Sequence, residues 1–256
     1  MILAFDIGNT HITAVLFSTN GDILFKIRIP SLVSITEDML FSYIHTSFLL
    51  KNISLSSISA VVVSSVVPSI DKSVIFMAEK YFNCSALFIN SETASSFIKF
   101  DIEFPVKTGA DRIVNMLQAV TEYNYNNIIT VDMGTATTFE LIKNRCYVGG
   151  CIIPGISLML SSLSAGTAKL PLVELKKPDT GPAKESSAQI NSGVYYGYLG
   201  QIKEILKHLK SEASDAFVIA TGGNSNLFSE EVNLFNKIDP NLTLKGLFTF
   251  YKSTIK

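Results

Sequence analysis

The chain has 256 residues, 47% hydrophobic and 17% charged, with a net charge of −1. That is enough apolar material for one large domain or two of about 120 residues each, and it excludes disorder, which needs low hydrophobicity with high charge. No basic block exceeds the Lys176-Lys177 pair, so a nucleic-acid footprint is not indicated. The longest apolar stretch, Ile58 to Ile70, is broken by Ser59, Ser64, Ser65, Pro68 and Ser69 and is too short for a bilayer. The N-terminus has no basic start and no cleavage site, so no membrane association and a cytoplasmic location are expected. Cys84, Cys146 and Cys151 lack CxxC spacing and read as structural thiols in a reducing compartment.

In chain order, Ile2–Ile7, Ile12–Phe17 and Ile23–Ile29 read as three antiparallel strands. Thr36 is placed to cap a helix running to about Leu50. Ala60–Val67 is a continuous apolar strand of the kind covered on both faces. A helix over Ile70–Phe82 and a short strand at Ala86–Ile89 follow, and residues 91–108 look irregular. Helical spacing returns from Ala110 to about Tyr123. Strands are then expected at Ile128–Met133, Thr138–Ile142 and Cys146–Ile153, with a helix near Gly155–Leu163. Leu170–Pro182 reads as a surface loop and Ser186–Leu209 as a long helix, in which Gly193, Gly197 and Gly200 would permit close helix packing. Phe217–Ala220 is a strand, and Leu242–Tyr251 a final helix announced by Asp239-Pro240.

One motif occurs twice. Asp6-Ile7-Gly8-Asn9-Thr10 ends the first apolar run, and Asp132-Met133-Gly134-Thr135-Ala136-Thr137-Thr138 ends another in mid-chain. Each copy places an Asp, a Gly and hydroxyl residues just after a short buried strand. Glycine lets the backbone approach an anion, N–H and Thr hydroxyl groups donate to phosphate oxygens, and the Asp can hold a cation or orient a water. Each copy is followed by a turn, at Asn20-Gly21 or Asn144, then a returning strand and a Pro. A later strand also recurs, as Ala60–Ser65 and Ala216–Thr221. A fixed order of similar elements marks an internal duplication. The expected fold is α/β, each half a mixed sheet flanked by helices, with the ligand in the interdomain cleft; the halves are drawn as residues 1–110 and 111–256.

Other motifs sharpen this. Thr221-Gly222-Gly223 ends a strand, where two glycines make a flat backbone surface for an adenine ring; a loop with Asn224 as N-cap is the plainer account. Gly109-Ala110-Asp111-Arg112 opens a helix between the repeats. Such a pair is often only a dipole partner and salt bridge, yet a carboxylate there suits a base for an alcohol nucleophile in phosphoryl transfer. His11, His45 and His208 are scattered singly and default to structural roles. Neither a Walker phosphate loop nor a GxSxG elbow is present.

With these residues in view, the chain resembles the type III pantothenate kinases of the acetate kinase/sugar kinase/Hsp70/actin superfamily. The resemblance runs end to end, through Asp6–Thr10, Ser64–Pro68 (SSVVP), Gly109–Asn115 (GADRIVN), Val131–Phe139 (VDMGTATTF), Gly149–Ile156 (GGCIIPGI), Thr167–Pro171 (TAKLP), Gly193–Gly197 (GVYYG), Ala220–Gly223 (ATGG) and Asp239–Gly246 (DPNLTLKG). GADR together with the DxGTATT segment is the specific part. The resemblance implies duplicated ribonuclease H-like (actin-like ATPase) halves with mixed five-stranded sheets. It implies ATP-dependent phosphorylation of pantothenate to 4'-phosphopantothenate, the first step toward coenzyme A. Asp111 would be the general base, with Gly109, Ala110 and Arg112 positioning pantothenate. Asp6, Ile7, Gly8, Asn9, Thr10, His11, Ile12 and Thr13 would cradle the ATP phosphates, Asp6 facing Mg²⁺ through water. Thr135 would reach the γ-phosphate, Gly222 and Gly223 the adenine, and Asp132 a monovalent cation, K⁺ or NH₄⁺. A homodimer is implied as well.

Two positions depart from the family pattern. Its substrate-contacting Tyr before GADR is missing from Phe100-Asp101-Ile102-Glu103-Phe104-Pro105, and the loss of one such hydrogen bond weakens binding by about 0.5–1.5 kcal/mol. A second contact, usually Thr, is best matched by Ser186. Two other functions compete: a kinase of the same superfamily with another small substrate, and a non-catalytic accessory factor in transcription.

Overall fold

The computed structural model describes residues 1–179, 181–231 and 234–254. The chain folds as two compact units, Met1–Glu122 together with Asn241–Lys256, and Tyr123–Pro240.

The first unit is built on five strands, β1 (Ile2–Ile7), β2 (His11–Phe17), β3 (Ile23–Pro30), β4 (Ala60–Ser65) and β5 (Ala86–Phe88), in the order β3-β2-β1-β4-β5. β1, β2 and β3 pair antiparallel, while β4 and β5 join in parallel. Alternation along β1 and β4 gives the sheet two faces. One carries Leu3, Phe5, Ile7, Val61 and Val63, packed under α1 (Glu37–Leu50) and α2 (Pro68–Phe82). Thr36 caps α1 as expected, accepting from Met39 N–H at 3.2 Å. Proline at the start of α2 and a left-handed Asn83 at its end (φ 51°) set that helix's limits. The stretch read as irregular contains a two-residue strand, β6 (Lys99–Phe100), and a 3₁₀ turn at Pro105–Lys107.

The other face, which carries Ala4, Asp6, Val62 and Ser64, is covered by α3 (Ala110–Glu122) and by the C-terminal helix α6 (Leu242–Thr254). The two helices are tied by Thr243 Oγ1 to Asn115 Oδ1 at 2.7 Å, Thr249 Oγ1 to Gln118 Oε1 at 2.7 Å and Lys245 Nζ to Glu122 Oε1 at 3.0 Å. This is why the compact units divide after Glu122 instead of after residue 110, and why the last helix returns to the first unit. Burial of Leu244, Leu247 and Phe250 against α3 and the first sheet decides its place, whatever its position in the chain.

The second unit repeats the plan. β7 (Ile128–Met133), β8 (Ala136–Lys143) and β9 (Cys146–Pro154) pair antiparallel, and β10 (Phe217–Thr221) and β11 (Lys237–Ile238) join β7 in parallel. These five run β9-β8-β7-β10-β11, the same order as β3-β2-β1-β4-β5. The β8–β9 turn places Asn144 and Arg145 at φ 51° and 62°, the paired positive angles of a tight type I′ hairpin. α4 (Ile156–Ala165) and α5 (Ser186–Glu212) cover Ile129, Val131 and Met133. The loop read over Leu170–Pro182 has no helix or strand, Thr180 lying outside the described residues.

The glycine spacing in α5 does not serve packing among the described residues. A Cβ at Gly193, Gly197 or Gly200 would meet nothing within 4 Å. α5 packs instead through Val194, Tyr195, Tyr198, Leu199 and Ile202. Among the described residues no helix is long and apolar enough to cross a membrane, and all three cysteines are free thiols.

The tightest helix contact yields a prediction. A Cβ on Gly246 of α6 would lie 2.5 Å from the Val114 carbonyl oxygen of α3. Backbone cannot yield as a flexible side chain does, so Gly246→Ala is expected to destabilise the first unit by about 1–3 kcal/mol, read as a lower urea midpoint at unchanged slope.

Candidate active site

Equivalent strands end in equivalent chemistry. Asp6 is the second-last residue of β1. Its Cα partners are Thr13 on the antiparallel side and Ser64 on the parallel side. Asp132 is the second-last residue of β7, partnered by Thr138 and Thr221 in the same senses. Each carboxylate therefore stands between two hydroxyl residues at the carboxyl end of a central strand, where open α/β sheets bind ligands.

In the first unit the chain after Asp6 turns tightly. Gly8 N–H donates to the His11 carbonyl at 3.0 Å. Ser31 braces the turn: its hydroxyl donates to the Gly8 carbonyl at 2.6 Å and its N–H to the Thr10 carbonyl at 3.1 Å. Asn9 and Thr10 are exposed at the tip, and Asn9 makes no hydrogen bond with the described residues. Arg28 Nη2 donates to His11 Nδ1 at 3.0 Å. Burial first, and then the Arg28 charge, lower the pKa of the His11 ring. A neutral imidazole beside a guanidinium and an exposed turn amide form a donor set suited to phosphate oxygens.

The residue after β4 links this turn to the Asp111 segment. Val66 N–H donates to the Ile7 carbonyl at 3.0 Å. A Cβ on Gly109 would lie 3.4 Å from Val66 Cγ1 and 2.5 Å from Asp111 Oδ1. Glycine at 109 is thus what admits the Asp111 carboxylate to the start of α3. That carboxylate also accepts from Arg112 N–H at 2.8 Å. Desolvation raises the Asp111 pKa above the ordinary carboxylate value, against smaller opposing contributions from the Arg112 N–H and charge. The structure therefore gathers Asp6–Thr13 and Gly109–Arg112 at one end of the first sheet.

In the second unit, Gly222 has φ +89°, and a Cβ there would lie 2.5 Å from Asp132 Oδ1 and 2.6 Å from Met133 N. The turn after β10 thus lies directly against the Asp132 carboxylate. Asn224 fastens it, with N–H and Nδ2 each 3.4 Å from the Met133 carbonyl. Asn224 does precede a 3₁₀ turn, Ser225–Phe228, but its side chain does not cap that turn. Gly155 N–H donates to the Thr135 carbonyl at 3.0 Å, leaving the Thr135 side chain exposed. Ser186 is the exposed first residue of α5, and its hydroxyl has no partner among the described residues.

Several supporting residues escaped the sequence reading. Glu140 is fully buried and accepts from Thr130 at 3.1 Å and Thr138 at 3.2 Å. A lone acid in an otherwise apolar strand was its only signal. Tyr198, also fully buried, shares a 2.5 Å hydrogen bond with Thr137. Its pKa is pushed up to about 12, first by burial, with the Asp132 charge adding to the rise. Nothing in the local sequence marks Tyr198, Ser31 or Arg28.

The donor chemistry also fits metal. Among the described residues no group of three or more His, Cys, Asp or Glu forms a protein cage. Single carboxylates beside hydroxyls match Mg²⁺ that keeps waters and phosphate oxygens as its other ligands.

A family model described as type III pantothenate kinase matches residues 2–208. The chain belongs to the type III pantothenate kinase family. A relative named type III pantothenate kinase from Fusobacterium nucleatum subsp. nucleatum is 38% identical over 253 residues, covering 98% of this chain and 99% of its own. One of the same name from Thermosipho africanus is 39% identical over 256 residues, covering 99% of each. A solved structure described as a 2-dehydro-3-deoxygalactonokinase from Sinorhizobium meliloti superposes with a TM-score of 0.64 at 10% identity, covering 99% of this chain and 96% of its own. At that identity the likeness concerns fold alone, the duplicated actin-like architecture that the family resemblance implies. Within the family fold, GADR and DxGTATT coincide with the two glycine-backed carboxylates.

Tyr198→Phe tests the second site's bracing. Removing its hydroxyl deprives buried Thr137 of this partner, so a loss of about 1–3 kcal/mol is expected, measured by urea unfolding.

Proposed function

We propose that this protein transfers the γ-phosphoryl group of ATP to the terminal hydroxyl of pantothenate, forming 4'-phosphopantothenate, the first step of coenzyme A biosynthesis. The observation that carries the reading is Asp111, a desolvated carboxylate packed on the Gly109 backbone in a chain of this family. A raised pKa makes Asp111 a better proton acceptor than a solvated carboxylate, as a base for an alcohol requires. In this reading Asp111 removes the hydroxyl proton as phosphoryl transfer proceeds, and Gly109, Ala110 and Arg112 hold pantothenate. The turn Asp6–Thr13 holds the ATP phosphates, Thr135 approaches the γ-phosphate, and Gly222-Gly223 supports the adenine. Asp6 holds Mg²⁺ through water and Asp132 a monovalent cation, K⁺ or NH₄⁺; these ions supply charge neutralisation for the transferring group. Ser186 is the hydroxyl assigned to a second substrate contact. With no Tyr from Phe100 to Pro105, pantothenate affinity is set lower than in relatives that carry one. We also place the enzyme in the cytoplasm, where free thiols are at home, and as a homodimer.

The test is ADP release with ATP, Mg²⁺ and pantothenate, K⁺ or Na⁺ being the only monovalent cation. Pantothenate-dependent turnover that requires K⁺ is expected, and turnover at background with K⁺ present would sink the reading. Asp111→Asn is expected to lower kcat by roughly 10²–10⁴-fold. Because the folded pKa of Asp111 is raised, its stabilising protonated state is lost as pH rises through that value. At neutral pH the buried charge is a burden, so Asp111→Asn is expected to melt no lower than wild type. The acid limb of kcat/KM should lie above the ordinary carboxylate range, activity falling as Asp111 takes up its proton.

A further inference from the structure

The second-last residue of β4, Ser64, carries a hydroxyl for which the proposed chemistry has no use. Ser64 has no solvent exposure, and its Oγ has no hydrogen-bond partner among the described residues. Leaving a buried hydroxyl unpaired is unfavourable, so its retention calls for a reason. Its nearest ladder neighbour is Asp6, its Cα partner in the parallel β1–β4 pairing. Side chains paired this way share one face of the sheet, and adjacent strands lie about 4.8 Å apart. The serine Oγ is one bond from its Cβ and the carboxylate oxygens of Asp6 two bonds from theirs. Side-chain rotation alone can therefore bring them into hydrogen-bond range.

The backbone on either side is held. Val66 N–H is bonded to the Ile7 carbonyl at 3.0 Å, and Val67 N–H to Ser65 Oγ at 3.2 Å. Ser65 thus has a local task and Ser64 has none. The duplication supplies a second, independent observation: Thr221, buried at 1% exposure, is the parallel partner of Asp132 in the same way. Two copies of one placement tie the hydroxyl to the carboxylate and not to the packing of one strand. With no exposure, Ser64 cannot touch a nucleotide itself and must act through its neighbour.

We propose that Ser64 is a positioning residue that donates a hydrogen bond to the Asp6 carboxylate in the nucleotide-bound state. This fixes Asp6 in the rotamer that faces the metal–nucleotide. The inference rests on the assignment of Asp6 to Mg²⁺ and ATP above, but not on pantothenate being the acceptor. It makes the hydroxyl a burden in the free protein and an asset in the complex. Stability and affinity should then move in opposite senses when it is removed, which a packing role would not produce.

The experiment is calorimetric binding of Mg²⁺ with a non-hydrolysable ATP analogue to the full chain, without pantothenate, alongside thermal melting of the free protein. Ser64→Ala is expected to weaken binding roughly tenfold while melting at or above the wild-type temperature. In an Asp6→Ala background, which leaves no side-chain acceptor for the Ser64 hydroxyl, the same change is expected to add nothing. Unchanged binding, a loss that persists with Asp6→Ala, or a loss accompanied by a lower melting temperature would each overturn the proposal. Wild-type protein that binds the analogue but does not phosphorylate pantothenate would remove the substrate assignment and leave the Ser64 result standing. Failure of the wild type to bind the analogue would overturn both.

Discussion

Two carboxylates pressed against glycine backbone are the constraint on which the rest of the structure depends. Gly109 and Gly222 each occupy a point where a Cβ would stand 2.5 Å from an aspartate oxygen. Any other residue at either point would displace the acid or the turn that carries it. Each acid also sits at a fixed place in the architecture, Asp132 ending a central strand and Asp111 opening a helix. Strand, turn and helix around them are arranged so that glycine backbone lies beside each carboxylate. At Asp111 the consequence is a raised pKa, and with it both a greater basicity and a penalty in stability at neutral pH.

The duplicated sheet explains how one chain builds two such places. In both units a central strand is flanked by an antiparallel hairpin on one side and a parallel strand on the other. That order delivers two hydroxyl neighbours to each strand-end Asp without any special local sequence. The copies have diverged in what braces them. Ser31 and Arg28 support the first turn, while Glu140, Tyr198 and Asn224 support the second. The first is held by neutral and cationic donors at its rim, the second by a buried acid and a phenol behind it.

Much of this could be read from residues in order. The strand ends at Asp6 and Asp132, the Thr36 cap and the repeat order all rest on local rules: alternation, capping and turn chemistry act within a few residues of one another. The GADR segment stood out because an Asp after a Gly at a helix start is a local pattern too. Three things lay beyond such rules. α6 belongs to the first unit because Gly246 lets it lie on Val114. Gly193, Gly197 and Gly200, spaced as if for close packing, face open space within this chain. Tyr198 reaches Thr137 across a long stretch of sequence.

By itself, then, the sequence determined the elements, the duplication, the two strand-end acids and the family. Each depends on short-range stereochemistry or on a contiguous motif. Only the tertiary structure decided which hydroxyl stands beside which acid. It alone desolvated Asp111 and raised its pKa, and it alone left Ser64 sealed next to Asp6 without a hydrogen-bond partner among the described residues. Those outcomes follow from strand register and helix packing, which join residues far apart in the chain, and desolvation exists only once those surfaces have closed.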